Sequence, residues 1–127
     1  MSRIAILCGT GMGSISELLN NSTSGISENI VVDSEWGQVP IESISSSSGE
    51  VYVVDRHHAI GESRKPPHSI EHRANVHAAT SCNPDLIISV NSVGSMIPDF
   101  PPGDVGVASG ILDLSDRPWT FYDENAV

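Results

Sequence analysis

The sequence predicts an α/β fold, and three observations predict it. Continuous apolar runs such as Ile4-Ala5-Ile6-Leu7-Cys8 and Leu86-Ile87-Ile88-Ser89-Val90 read as strands covered on both faces. Stretches of helical character separate runs of this kind, the pattern of strands connected through helices. Glycines and small polar residues stand at several strand exits, where open α/β sheets bind their ligands.

Each element follows from local signals. The first strand, 4–8, ends at Gly9, and Gly9-Thr10-Gly11-Met12-Gly13 makes a turn. Ser14 or Ser16 then caps a short helix running through Glu17, Leu18 and Leu19. Residues 20–28 are rich in Ser and Asn and read as a loop. Ile30-Val31-Val32 is a strand, followed by a turn at Trp36-Gly37. Residues 39–44 form the next strand, and the Ser45-Ser46-Ser47-Ser48-Gly49 run connects it flexibly to a strand at 51–54. Pro66-Pro67 closes a loop and sets the start of a helix over about 69–81, with Ile70, Ala74, His77 and Ala78 on its inner face. The strand at 86–90 is of the buried type. Pro101-Pro102-Gly103-Asp104 turns the chain into a last strand at 105–114, and residues 116–127 have no clear period. With no internal repeat and no linker, the 127 residues read as one domain, 1–127.

Composition excludes several classes. Apolar content of 39% with a mean hydropathy of −0.05 fits a globular chain. A net charge of −10 argues against duplex nucleic acid and against anionic membrane surfaces. No apolar run approaches the roughly 20 residues of a spanning helix. The start, MSRIAILCGTGMG, has too short an apolar stretch for a signal peptide. Cys8 and Cys82 sit in apolar surroundings and are expected as free thiols in a reducing cytoplasm.

Positive charge is gathered in one window. Residues 56–77 hold Arg56, Arg64, Lys65 and Arg73 with all five histidines (His57, His58, His68, His72, His77), opposed by Glu62 and Glu71. The window is formally +2 and the remainder −12, a contrast that suits either a small anion or a solvated helix and loop. Three strand exits can supply an anion site: Gly9-Thr10-Gly11, Arg56-His57-His58 and Asn91-Ser92-Val93-Gly94. Glycines let backbone N–H groups approach an oxyanion, Thr10 can donate its hydroxyl, and Arg56 offers a fork of donors matched to phosphate oxygens. The GTGMG spacing is neither a dinucleotide fingerprint nor a P-loop. His68, His72 and His77 lack a Cys or carboxylate at ligand spacing and read as capping, packing and surface residues rather than a metal site.

Taken in order, the segments are more specific. The chain resembles the N-terminal half of the purine nucleoside phosphorylase family, in its methylthioadenosine phosphorylase branch. The resemblance runs through Gly9-Thr10-Gly11, Val32-Asp33-Ser34-Glu35-Trp36-Gly37-Gln38-Val39-Pro40, Arg56-His57, Pro66-Pro67-His68-Ser69-Ile70 and Arg73-Ala74-Asn75. It continues through Ile88-Ser89-Val90-Asn91-Ser92-Val93-Gly94-Ser95, Pro102-Gly103-Asp104 and Arg117-Pro118-Trp119-Thr120-Phe121-Tyr122-Asp123. The resemblance implies a central mixed β-sheet flanked by helices, incomplete in this chain. It implies phosphorolysis of the N-glycosidic bond of a purine nucleoside, 5′-methylthioadenosine first, giving free base and a (methylthio)ribose 1-phosphate. Thr10, Arg56, His57, Asn91 and Ser92 then occupy phosphate-binding positions, with Gly9, Gly11 and His58 as further candidates. Inorganic phosphate is the co-substrate, with no metal or organic cofactor, and the expected assembly is a homo-oligomer, trimer or hexamer.

Two departures stand out. His58 replaces the glycine usual after Arg-His, and the stretch 59–65 is two residues longer than the common spacing. Other branches use Arg-x-His, which would turn His58 to the phosphate; His57 is preferred. The family pattern also continues past Val127, and that part carries the acidic purine-recognition residue, a further phosphate-binding Thr or Ser and ribose contacts. No catalytic residue is therefore assigned. The alternative expectation is a truncated, non-catalytic phosphate- or nucleoside-binding remnant, or one half of a split enzyme with a complementary C-terminal half as partner.

Overall fold

A computed structural model describes residues 1–9, 11–12, 14–58, 64–115 and 120–122. Thr10 and the tail beyond Tyr122 lie outside the described residues. The chain forms two compact units, Met1–Ser92 and Val93–Val127.

The first unit contains every regular element in the order β1 (Ser2–Cys8), α1 (Ile15–Thr23), β2 (Ile26–Val32), β3 (Val39–Ser46), β4 (Gly49–Asp55), a 3₁₀ turn (Pro67–Ser69), α2 (His72–Ser81) and β5 (Leu86–Ser89). One five-stranded sheet runs β2-β3-β4-β1-β5. β1 lies parallel to both β4 and β5, while β2, β3 and β4 are antiparallel neighbours. The sheet is therefore mixed and carries helices, as expected. The parallel trio puts the ends of β1, β4 and β5 on one edge.

Period-two alternation divides the core into two layers. Ala5, Leu7, Val39, Ile41, Tyr52 and Val54 face α2 and meet Ala74, Ala78, Ala79 and Cys82. Cys8, Ile44 and Val53 face the other way, against Met12, Ile15 and Leu19 at the start of α1. Alanines on α2 let the helix lie close to the sheet. Ile70, Ala74 and Ala78 are buried as predicted, and His77 rests half-buried against Trp36 with ring centroids 5.7 Å apart. Asn75 and Ala79, absent from the predicted inner face, are buried too.

Several boundaries differ from the sequence expectation. Residues 20–28 are not a loop: α1 continues to Thr23, and β2 starts at Ile26. Polarity there reflects the outermost strand, which pairs along its whole length with β3 and exposes its side chains. Ser22 and Thr23 return their hydroxyls to the Leu19 carbonyl at 3.0 and 2.8 Å, and Ser24 ends the helix in the left-handed region (φ 51°). The serine run is mostly strand, because β3 reaches Ser46 and only Ser47-Ser48 makes the turn into Gly49. At Gly49 (φ +149°) an added Cβ would strike the Ser2 carbonyl oxygen. α2 begins at His72 rather than 69, because the Pro67–Ser69 turn intervenes and Glu71 caps the helix, accepting the Arg73 N–H at 3.1 Å.

Two strands expected from apolar runs fare differently. β5 forms, held at its start by an Asp85–Arg3 backbone bond of 2.8 Å, but it is an edge strand. Leu86, Ile87 and Ile88 remain 53, 38 and 39% exposed, not buried, because β1 covers only one side of the ladder. Residues 105–114 form no strand, and Val105, Val107, Ile111, Leu112 and Leu114 are 83–97% exposed. A strand needs a neighbour to satisfy its backbone groups, and none pairs with this run among the described residues.

Ile41, 1% exposed at the centre of the α2-facing layer, tests the packing. Ile41→Ala should cost about 2–5 kcal/mol, read as a fall in the urea midpoint.

Candidate anion site at three strand ends

Arg56 follows directly on β4 and is tied to the ends of β1 and β5. Its backbone N–H donates to the Cys8 carbonyl at 2.9 Å. Its Nε reaches the same carbonyl at 3.3 Å, and Nη2 reaches the Val90 carbonyl at 3.4 Å. The guanidinium thus spans the ends of β1 and β5. It lies against Gly9, where an added Cβ would collide with Nη2. Absence of a side chain at Gly9 is what lets the guanidinium lie there.

The acids described next to Arg56 and at the cap of α2 are paired with other arginines. Asp55, its neighbour, is held by Arg64 at 2.8 and 2.9 Å and accepts the His57 N–H at 3.0 Å. Glu71 is held by Arg73 at 2.8 Å. Among the described residues Arg56 makes no ion pair, so its positive charge is free to meet an anion.

His57 is buried beside it. Its Nδ1 lies 2.8 Å from the Lys65 carbonyl, so Nδ1–H is the donor and Nε2 is left for another partner. The Lys65 N–H returns a bond to the His57 carbonyl at 2.9 Å, clamping the ring. Nε2 points toward Gly9, 3.6 Å from where a Cβ would stand. On the third exit, Asn91 and Ser92 are exposed; Asn91 Nδ2 donates to the Ser89 hydroxyl at 3.3 Å. Gly11 (φ +92°) brings the β1 exit to the β5 exit, its Cβ direction ending 3.6 Å from Ser92 Oγ. Of the predicted residues, Gly9, Arg56 and His57 therefore meet directly, Gly11 meets Ser92, and Asn91 adjoins them. Thr10, between the two glycines, lies outside the described residues.

His58 turns elsewhere. Its Nε2 bonds Asn75 Oδ1 on α2 at 3.0 Å, and Asn75 Nδ2 donates to the Arg56 carbonyl at 3.3 Å. A carbonyl accepts only from Nδ2, so Oδ1 must face His58 and the ring carries its proton on Nε2. Nδ1 is then a buried lone pair without a partner. Burial pushes the His58 ring below the ordinary histidine value, helped by the Lys65 charge and opposed by the Asn75 bond and Asp55. Sequence reasoning did not single out Asn75 or Asp55. The available signal was a polar residue next to Ala74 on a helix packed with alanine, since buried amides are hydrogen-bonded. Burial raises the Cys8 thiol above its ordinary value, and its Sγ lies 3.5 Å from the Val54 carbonyl, so Cys8 is a packed thiol.

No group of three His, Cys, Asp or Glu side chains among the described residues is placed to hold a metal ion. No helix among them is long and apolar enough to cross a membrane.

The class is thus an α/β protein whose parallel strands end in a cluster of small residues, a guanidinium and an imidazole. A family model for the phosphorylase superfamily matches residues 3–127, and the chain belongs to that superfamily. It is 35% identical over 128 residues to 6-oxopurine nucleoside phosphorylase of Pyrococcus furiosus, with 97% of this chain and 43% of that protein covered. It is 30% identical over 126 residues to S-methyl-5′-thioadenosine phosphorylase of the same organism, covering 97% and 45%. A 65-residue stretch is 40% identical to S-methyl-5′-thioadenosine phosphorylase of Hyperthermus butylicus, covering 50% and 24%. The chain thus spans less than half the length of these relatives. A crystal structure of methylthioadenosine phosphorylase from an antarctic soil metagenomic library shares the fold at a TM-score of 0.51 and 20% identity, over 69% of this chain and 29% of that one.

The His58 environment has a consequence for stability. Its folded-state value lies below the unfolded value near 6.5, so the unfolded chain takes up a proton first on acidification. The contribution is complete above about pH 6.5 and is lost as pH falls through the folded-state value. Melting temperature should begin to drop as pH falls below about 6.5, before carboxylates titrate, and His58→Gln should flatten that part of the curve.

Proposed function

We propose that this chain binds inorganic phosphate where β1, β4 and β5 end, with Arg56 and His57 as the principal contacts and Thr10, Asn91 and Ser92 completing the cradle. The observation that carries the reading is the Arg56 guanidinium, held between the Cys8 and Val90 carbonyls against Gly9 and, among the described residues, in no ion pair. Its planar donors suit phosphate oxygens. His57 Nε2 accepts from a phosphate hydroxyl when neutral and donates to a phosphate oxygen when protonated.

Membership of the superfamily and the names of the relatives support phosphorolysis of a purine nucleoside as the reaction. A phosphate held beneath the anomeric carbon is positioned for attack. As the bond from that carbon to the base nitrogen lengthens, the sugar gains oxocarbenium character, which the phosphate charge stabilises. A phosphate oxygen forms the new bond to carbon, the base leaves with the electron pair and takes a proton, and the sugar 1-phosphate remains. We take 5′-methylthioadenosine as the first substrate to test and inosine as the second, because the relatives carry both methylthio- and 6-oxopurine names. We place the reaction in the cytoplasm, where the free thiols of Cys8 and Cys82 suit a reducing compartment.

The exposure of Leu86, Ile87 and Ile88 along the β5 edge favours a second reading, in which the phosphate site is present but turnover needs a further polypeptide on that edge. That polypeptide is a complementary half or another subunit of a trimer or hexamer.

Phosphate at millimolar concentration should raise the melting temperature by several degrees, as a ligand of the folded state does, and Arg56→Ala should abolish the rise. Protection that survives Arg56→Ala overturns the site. Incubation with 5′-methylthioadenosine and phosphate should release adenine; protection without release of adenine, or of hypoxanthine from inosine, selects the second reading. Gly9→Ala should push the Arg56 guanidinium, which its Cβ would meet, out of its place between the Cys8 and Val90 carbonyls and so weaken phosphate binding at least tenfold.

A further inference from the structure

Asn75 is the one residue of α2 whose buried side chain is polar, at 2% exposure. It does not reach the strand-end cluster through its side chain, yet it holds the peptide from which Arg56 projects. The Arg56 backbone is fixed on both sides of its Cα: its N–H by the Cys8 carbonyl at 2.9 Å and its C=O by Asn75 Nδ2 at 3.3 Å. Asn75 is fixed in turn by His58 Nε2–H at 3.0 Å. We infer that Asn75 is a positioning residue for the Arg56 guanidinium, and that the His58 ring sets which way the Asn75 carboxamide faces. The inference rests on the phosphate reading of the site.

The physical argument starts from the length of the arginine side chain. A guanidinium on four rotatable bonds reaches a fixed place only if its root is fixed. Here the root is pinned by two backbone hydrogen bonds, one to the sheet and one to α2. Asn75 carries a donor and an acceptor on one rigid group, so a 180° flip of the amide would put an oxygen against the Arg56 carbonyl. The His58 Nε2–H prevents the flip by demanding an acceptor. His58 is kept in that proton state by its surroundings. Nδ1 makes no hydrogen bond among the described residues. Among the described residues, the carboxylates that share a cavity wall with His58 are engaged: Asp55 at the end of β4 with Arg64, Glu71 at the start of α2 with Arg73, and Glu42 on β3 with the Ser27 hydroxyl at 2.7 Å. The remaining charges near it, Arg56, Arg64 and Lys65, are positive and disfavour a second proton. A cavity of about 50 Å³ bounded by Arg56, His58, Lys65, Glu71 and Asn75 lies beside the relay and has room for water.

The test is the affinity of the full chain for inorganic phosphate, by titration calorimetry at pH 7.5 and well below the melting temperature. Asn75→Asp keeps the acceptor for His58 but sets a carboxylate oxygen against the Arg56 carbonyl, and should weaken phosphate about tenfold. It should also raise the pH at which the His58 ring titrates by NMR, because the carboxamide has become an anion. His58→Ala should weaken phosphate about fivefold by freeing Asn75 to flip, and His58→Gln, whose amide can donate to Asn75 Oδ1, should recover most of that loss. Should Asn75→Asp fail to fold, the two His58 variants read the same link from the loop side. Phosphate affinity within twofold of wild type in Asn75→Asp and His58→Ala, with only the melting temperature lowered, overturns the inference and leaves the phosphate site standing. Wild-type protein that takes up no phosphate overturns both.

Discussion

The hydrogen bonds that Arg56 makes to the ends of β1 and β5 are the constraint on which the site depends. One residue donates from its backbone and Nε to Cys8 and from Nη2 to Val90, so three strand ends are tied by a single side chain. Parallel pairing of β4, β1 and β5 is what puts those ends side by side. Had any of the three run antiparallel, its exit would lie at the far edge of the sheet. The topology therefore decides where the chemistry collects, and Gly9 supplies the room for it.

Charge is managed around this point by pairing. Asp55 and Glu71, the acids nearest in sequence to the strand-end arginine and the helix cap, are each taken up by another arginine. Exposed or half-exposed pairs of this kind add little to stability. Their effect here is on the field: they leave Arg56 as a cation with carbonyl oxygens for partners. An acidic chain of net −10 thereby keeps a small positive site. The far end of the sheet shows the same economy with another purpose, where Arg3 joins Glu50 at 2.7 Å and the Tyr52 hydroxyl at 2.8 Å to pin the start of β1 on β4.

Much of the fold was legible in the residues. The runs at 4–8, 39–44 and 51–54 alternate or continue in ways that only strands satisfy, and Gly9, Trp36-Gly37 and Pro66-Pro67 punctuate them. The candidate site was read as glycines and cations at strand exits, and the structure brings Gly9, Arg56 and His57 into one place. Other features were not legible, because they depend on neighbours. Residues 26–28 are polar and looked like loop, yet pairing with β3 makes them the start of β2; residues 105–114 look like a strand and lack the pairing among the described residues. Burial of β5 failed for the same reason, since an apolar run cannot report whether its second edge is covered.

By itself the sequence determined the local alternation, the turns and the inventory of chemistry: a short loop of glycines, an Arg-His-His step and a cationic window in an acidic chain. Only the tertiary structure decided between the two adjacent imidazoles. His57 turns to Gly9 because the Lys65 carbonyl fixes its Nδ1, and His58 turns to α2 because a buried amide there needs a donor. Neighbours in the chain carry the same ring, so nothing local separates them; hydrogen-bond partners eight and seventeen residues away do.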